Sequence, residues 1–262
     1  MWIDSHCHIT ADEFGEDREA ALARAEAAGV STLIAIGAGY GVEHNARAVQ
    51  LAAQDARVFA TAGVHPHDAA QLDSAAEQQL RQWLGAARVV AVGECGLDYW
   101  YERAPRAAQR EAFARQVALA RELGLPVSIH VRGRGSAAYD ELLEIWQREG
   151  GGEVTGVLHC YTHDLHFARR AMEQRLAISF SGILTFKKSS ALREVAAALP
   201  LENLLVETDS PLLSPEGQRG KRNEPARVPM VGAVLAEVQQ RPLAEVAAAT
   251  SQRARELFRL PG

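Results

Sequence analysis

A chain of 262 residues, 47% hydrophobic and 23% charged, has the composition of an ordinary globular protein and a natural length for a (β/α)8 barrel, which needs about 250 residues. The formal net charge of -5 excludes any global attraction to nucleic acid or to an anionic membrane, so an anionic substrate must be caught by a local cluster of cations. No apolar run approaches the ~20 residues of a membrane span, and the 3 cysteines are an odd number without metal-finger spacing, so the expectation is a cytoplasmic protein with reduced thiols, Met1 leading straight into a strand.

Short β-branched runs alternate with helical patterns along the whole chain. A first strand over residues 2–5 is followed by a helix near 17–28, stopped by Gly29. The second strand covers 31–37, and Val42, Ala46, Val49 and Ala53 then repeat at helical spacing. The third, 58–64, ends in Gly63-Val64-His65-Pro66-His67, and Ser74 with Glu77 reads as a capping box opening the next helix. The fourth strand, 88–92, ends in Gly93-Glu94-Cys95-Gly96-Leu97-Asp98, and a long helix follows that Gly124 stops. The fifth, 126–131, carries His130; Tyr139, Leu142, Leu143 and Trp146 mark the helix after it. The sixth strand, 154–158, runs into His159, and the seventh covers 176–180 after a short helix around Phe167. The eighth, 204–207, ends in Thr208-Asp209-Ser210-Pro211; an irregular stretch from 212 to 228 precedes a final helical region reaching Leu257. Strict alternation implies a parallel sheet, and eight units imply a (β/α)8 TIM barrel as one domain over residues 1–262. A doubly wound open sheet is disfavoured because no glycine-rich phosphate loop follows any strand.

In such a barrel the working residues stand at the C-terminal ends of the strands. His6 and His8 lie two apart on the first strand and so point to one side. Of the 9 histidines only His44 and His166 fall on predicted helices; the rest lie at or just after strand ends, with Glu94 and Asp209 in equivalent places. Six candidates, His6, His8, Glu94, His130, His159 and Asp209, exceed the three protein ligands of a single catalytic zinc and suit two divalent cations. Nitrogen and carboxylate donors without sulfur fit zinc, manganese, iron or magnesium. Glu94 is placed to bridge the pair, and Asp209 to act on the attacking water, so these two are the candidate catalytic residues.

The motifs Asp4-Ser5-His6-Cys7-His8, Gly63-Val64-His65-Pro66-His67, Gly93-Glu94-Cys95-Gly96-Leu97-Asp98-Tyr99, Ile129-His130, His159-Cys160-Tyr161, Ser179-Phe180-Ser181-Gly182 and Glu207-Thr208-Asp209-Ser210-Pro211 resemble those of the TatD-type metal-dependent deoxyribonucleases. So does the late run Arg219-Gly220-Lys221-Arg222-Asn223-Glu224-Pro225. The resemblance spans nearly the whole chain in the family's order. It implies a TIM barrel with two divalent ions that hydrolyses DNA phosphodiesters, often 3′-to-5′, in the manner of a repair exonuclease. It also implies that His6, His8, Glu94 and Asp209 hold one metal while Glu94, His130 and His159 hold the other. Two departures bear on substrate preference more than on the metals. The segment His130-Val131-Arg132-Gly133-Arg134-Gly135 keeps Arg132 but loses the acid that can follow it in the family and adds Arg134, and His163 stands where glycine is usual.

For substrate binding the candidates are His65, Arg132, Lys221 and Arg222, within a basic rim that also includes Arg134, Lys187, Lys188 and Arg219. Tyr99, Trp100 and Tyr101 either stack on an unpaired base or pack a loop. The expected partner is DNA, single-stranded or at 3′ ends; no protein partner is inferable. The alternatives are an amidohydrolase-like enzyme cleaving a small ester, lactone or amide, and a metal-binding protein without turnover.

Overall fold

The structure, a computed structural model, describes residues 1–261; Gly262, the last residue of the expected domain, lies outside the described residues. Its strands are β1 (Trp2–Cys7), β2 (Val30–Ala35), β3 (Val58–Ala62), β4 (Val89–Asp98), β5 (Val127–Arg132), β6 (Gly156–Leu158), β7 (Leu176–Phe180) and β8 (Leu204–Val206). Between and after them come α1 (Arg18–Ala27), α2 (His44–Gln54), α3 (Ser74–Leu84), α4 (Arg106–Leu123), α5 (Ala137–Gly150), α6 (Leu165–Glu173), α7 (Ser190–Ala198), α8 (Val228–Gln239) and α9 (Leu243–Phe258). The strands form one sheet in chain order, β1 to β8, each followed by helix: this is the (β/α)8 TIM barrel read from the alternation.

Contacts concentrate in two compact units, residues 1–35 with 159–173 and 177–262, and residues 36–158 with 174–176. In the first, β1 pairs with β2 and β7 with β8, both in parallel. Its core holds Ile3, Leu33, Ile34, Phe180, Leu204 and Leu205, all buried. In the second, β3, β4, β5 and β6 pair successively in parallel. Val92, Val127 and Ile129 of its strands, Phe113 and Val117 of α4 and Leu142 of α5 are all buried there. Such strands read as continuous apolar runs because both faces are covered.

Several boundaries differ from the sequence reading, three of them for a clear physical reason. The cap of α3 is Asp73, whose side chain accepts the Ala76 N–H, instead of Ser74; Glu77 pairs with Arg115. β4 continues through Glu94 to Asp98, beyond residue 92. The final helical region is two helices, α8 closed by Gln240 in the left-handed region and α9 starting after Pro242.

Close approach of β3 and β4 depends on glycine at one point. A Cβ on Gly63 would lie 2.6 Å from the backbone of Gly93, so no side chain fits there. Directly beyond this contact stand His65 and Glu94.

Candidate metal centre

In the first unit, β1 carries His6 and His8 to one side, as strand alternation requires. Their Nε2 atoms lie 3.3 Å apart, and Oδ1 of Asp209 is 3.7 Å from the first and 3.5 Å from the second. All three residues are buried. Two imidazole nitrogens facing each other at that distance cannot both carry hydrogens, and a carboxylate at the third corner adds negative charge. The point equidistant from three atoms so spaced lies about 2 Å from each, the bond length of zinc to histidine nitrogen or carboxylate oxygen. The donor set therefore fits a divalent cation.

Local backbone bonds hold this triangle. The Asp209 N–H donates to the His6 carbonyl at 2.9 Å and the His8 N–H to the Ser210 carbonyl at 2.7 Å, so the chain beyond β8 runs alongside β1. Thr208 adds its N–H and its hydroxyl to the two oxygens of Asp4, at 2.9 and 2.6 Å. Burial pushes the Asp4 carboxyl up to about 8, the Thr208 bonds pulling the other way. Asp209 itself has φ of 54°, a left-handed conformation that costs a non-glycine residue energy and clusters at functional sites.

His159 follows β6, and its ring stacks on that of His6 with centroids 3.8 Å apart and planes at 6°. Its Nδ1 lies 3.3 Å from Oε1 of Glu207, which also accepts the Cys160 N–H at 2.7 Å; Ser179 donates its hydroxyl to Oε2 at 2.5 Å. Glu207 is fully buried. It fixes the orientation of the ring from behind, as carboxylates do for metal-ligating histidines.

The second unit brings together His65, Glu94 and His130. Oε1 of Glu94 lies 3.4 Å from Nε2 of His65 and 3.1 Å from Nδ1 of His130. The other nitrogen of His130, Nε2, lies 3.1 Å from Oδ2 of Asp98, which also receives Nε2 of His67 at 3.1 Å. Burial opposes ionisation of Asp98, but the bonds from His130, His67 and the Tyr101 N–H outweigh it and hold the carboxyl well below the usual range. An ionised Asp98 only accepts, so the His130 hydrogen sits on Nε2, and Nδ1 presents a lone pair to the Glu94 carboxylate. A lone pair facing a carboxylate at 3.1 Å is repulsive without a cation or proton between them. This second donor set therefore fits a cation as well.

His65 stands within the same donor group as Glu94 and His130. Its Nδ1 accepts the His67 N–H at 3.1 Å, which leaves the hydrogen of the neutral ring on Nε2. Burial lowers its pKa to about 4, with Glu94 pulling the other way, so the ring is neutral near pH 7 and offers a donor.

The six expected ligands lie on strands or just beyond them: His6, His8, His159 and Asp209 in the first unit, Glu94 and His130, both within their strands, in the second. Of the expected substrate contacts, Arg132 and Lys221 are exposed. Arg222 is engaged instead in the fold: it pairs with Asp17, donates to the Glu13 carbonyl at 2.9 Å and covers the Phe14 ring at 4.6 Å. Arg219 lies on Phe186 at 4.0 Å, and Lys187 is 3.9 Å from Glu216. Cys7 turns its thiol to the Ile34 carbonyl, 3.6 Å away, and so takes no part in the ligand triangle. Two functional carboxylates, Asp98 and Glu207, went unassigned in the sequence. Asp98 lies four residues beyond Glu94 and shares its face only if β4 continues that far, which the short reading of that strand hid.

The family model described as TatD related DNase matches residues 3–259. A metal-dependent hydrolase of Bacillus subtilis strain 168, YabD, is 35% identical over 99% of this chain and 100% of its own length. The 3′-5′ ssDNA/RNA exonuclease TatD of Pectobacterium atrosepticum is also 35% identical, over 98% of this chain and 99% of its own. Among solved structures, the TatD homologue YJJV of Escherichia coli K12 superposes with a TM-score of 0.91 at 34% identity, covering 99% of this chain and 98% of that one.

Proposed function

The chain belongs to the TatD family of metal-dependent hydrolases, enzymes acting on phosphoester bonds, and from that premise we propose that it is a two-metal exonuclease that removes nucleotides from the 3′ end of single-stranded DNA. The observation that carries the reading is the triangle of His6, His8 and Asp209, with ligand atoms 3.3 to 3.7 Å apart. By the family resemblance, His6, His8, Glu94 and Asp209 would hold one cation and Glu94, His130 and His159 the other. The identities that suit these donors are zinc, manganese and magnesium. Divalent cations there supply Lewis acidity towards the phosphate and towards water.

The protein's own groups do the rest. Asp209 orients the attacking water and takes its proton on Oδ1 or Oδ2. His65, neutral with its hydrogen on Nε2 facing Glu94, would turn that donor to the phosphate. Arg132 and Lys221 bind the phosphates on either side, with Arg222 steering from its place beside Asp17. The relative from Pectobacterium named as a 3′-5′ ssDNA/RNA exonuclease supports both the polarity and the single-stranded substrate. The amidohydrolase-like alternative is weakened by the lysines: the sequence has three, Lys187, Lys188 and Lys221, none on a strand where a carboxylated bridge would be needed.

The reading is tested by Asp209→Asn together with a substrate panel. The variant should keep its fold and lose activity on 3′-end-labelled single-stranded DNA by about 10²-fold or more. Undiminished turnover by the variant, or faster hydrolysis of small esters and amides than of DNA by the wild type, would refute it.

A further inference from the structure

Trp100 and Tyr101 follow β4 directly and are 45% and 52% exposed. Their neighbour Tyr99 is buried, its hydroxyl donating to Glu141 at 2.7 Å and its ring lying under Arg106 at 4.3 Å. Tyr99 thus packs the loop, and the next two rings stay about half exposed, Tyr101 meeting the His67 ring edge-on at 5.8 Å. Adjacent exposed aromatic rings mark a surface that something covers.

Cations line these rings. The Arg132 guanidinium lies 5.4 Å from the Trp100 ring and 5.0 Å from the Tyr101 ring, and Arg134 lies 4.7 Å from Trp100. Rings alternating with guanidinium groups match a chain of flat bases and anionic phosphates. On a protein of net charge -5, this grouping offers an anion a local attraction that the chain as a whole does not.

The rings are also tied to the centre. Oδ1 of Asp98 accepts the N–H groups of Trp100 and Tyr101, at 2.9 and 2.8 Å. Oδ2 of the same carboxylate takes His130 and His67, both at 3.1 Å. One side chain therefore sets the position of both rings relative to the histidine that faces Glu94.

We propose that Trp100 and Tyr101, flanked by Arg132 and Arg134, form a subsite that stacks an unpaired nucleobase beside the phosphate held at this centre. The inference rests on the nucleic-acid reading above and adds the origin of strand selectivity. A base in a duplex has both faces occupied by its neighbours, so only single strands and frayed ends can use the rings. Every base has a π face, so the subsite does not choose sequence.

The test separates binding from hydrolysis. In EDTA, where no cleavage proceeds, fluorescence anisotropy compares a labelled dT octamer with an octamer of abasic residues. Trp100→Ala/Tyr101→Ala should weaken binding of the dT octamer about tenfold or more and leave the abasic octamer's affinity as it was, while Trp100→Phe restores most of the loss. Equal weakening of both octamers, no weakening of either, or no binding of the dT octamer by the wild type overturns the subsite. Base-dependent binding in a metal-loaded protein that cleaves no DNA would instead uphold the subsite and overturn the exonuclease reading.

Discussion

His130 donates from Nε2 to Oδ2 of Asp98 at 3.1 Å. This bond assigns the ring's hydrogen, and with it the lone pair that Nδ1 turns to Glu94. Asp98→Asn keeps the shape but replaces the acceptor pair with a group that also donates. The variant should bind the cation about 10- to 100-fold more weakly with little change in fold, as loss of a carboxylate behind a ligating histidine does. Competition against a chelating dye measures it, and wild-type affinity in Asp98→Asn would show that the tautomer of His130 is set by something else.

Cation binding at buried donor sets must also appear as stability, because the unfolded chain holds no such geometry. Protein stripped with EDTA should melt at a lower temperature than metal-loaded protein, by an amount that corresponds to about 2.7 kcal/mol at cation concentrations a hundred times Kd. His8→Ala should lose part of that gain and Glu94→Gln part or more, since Glu94 is assigned to both ions. Thermal unfolding with and without manganese or zinc decides this, and identical melting curves would remove the cations from the account.

Much of this centre was legible in the sequence because strand ends are legible. The pair His6 and His8 needs only the two-residue period of a strand, and His130, His159 and Asp209 need only the rule that barrel chemistry collects where strands stop. Asp98 was obscured because Gly93 and Gly96 interrupt the apolar run of β4 and made the strand look finished at residue 92. Glu207 gave no signal of its role, because the groups it bonds, His159, Cys160 and Ser179, lie far from it in the sequence. The pairing of Arg222 with Asp17 was not legible, because a sequence places Arg222 in a basic loop but does not bring Asp17 against it. Ser74 read as the cap because Glu77 stands three residues after it, at the spacing of a capping box, but Glu77 is drawn away by Arg115 and Asp73 caps instead.

The contact between β3 and β4 makes a direct prediction about positioning. Gly63→Val places branched carbons against the Gly93 backbone, where even a Cβ would stand at 2.6 Å. The strands must part, at a cost of about 1–3 kcal/mol, and His65 must draw away from Glu94. Urea denaturation should show the lost stability, and kcat should fall more than the loss of folded protein explains. A variant as stable and as active as wild type would mean that the approach is not constrained there.

The ion pairs that hold Arg222 give a pH dependence of known sign. Hydrogen bonds from Arg24 and from Arg222, the first being the larger effect, hold the Asp17 carboxyl well below its usual value. A carboxyl lowered on folding contributes stability above its unfolded pKa, about 3.9, and loses it as pH falls towards the folded value. The melting-temperature difference between wild type and Asp17→Asn should therefore be constant from pH 5 to 8 and shrink below about pH 4. A difference that grows on acidification would contradict the assignment of these bonds.

The central claim is that bound cations make this barrel cut DNA from the 3′ end. It is tested most directly by adding manganese stepwise to EDTA-stripped protein and following a 5′-labelled single-stranded oligonucleotide on a sequencing gel. The account predicts no cleavage without metal, then a ladder that shortens one nucleotide at a time from the 3′ end, its rate levelling off at about two bound ions per chain. Cleavage that is undiminished without metal, or an oligonucleotide left intact by the fully loaded protein, would contradict it.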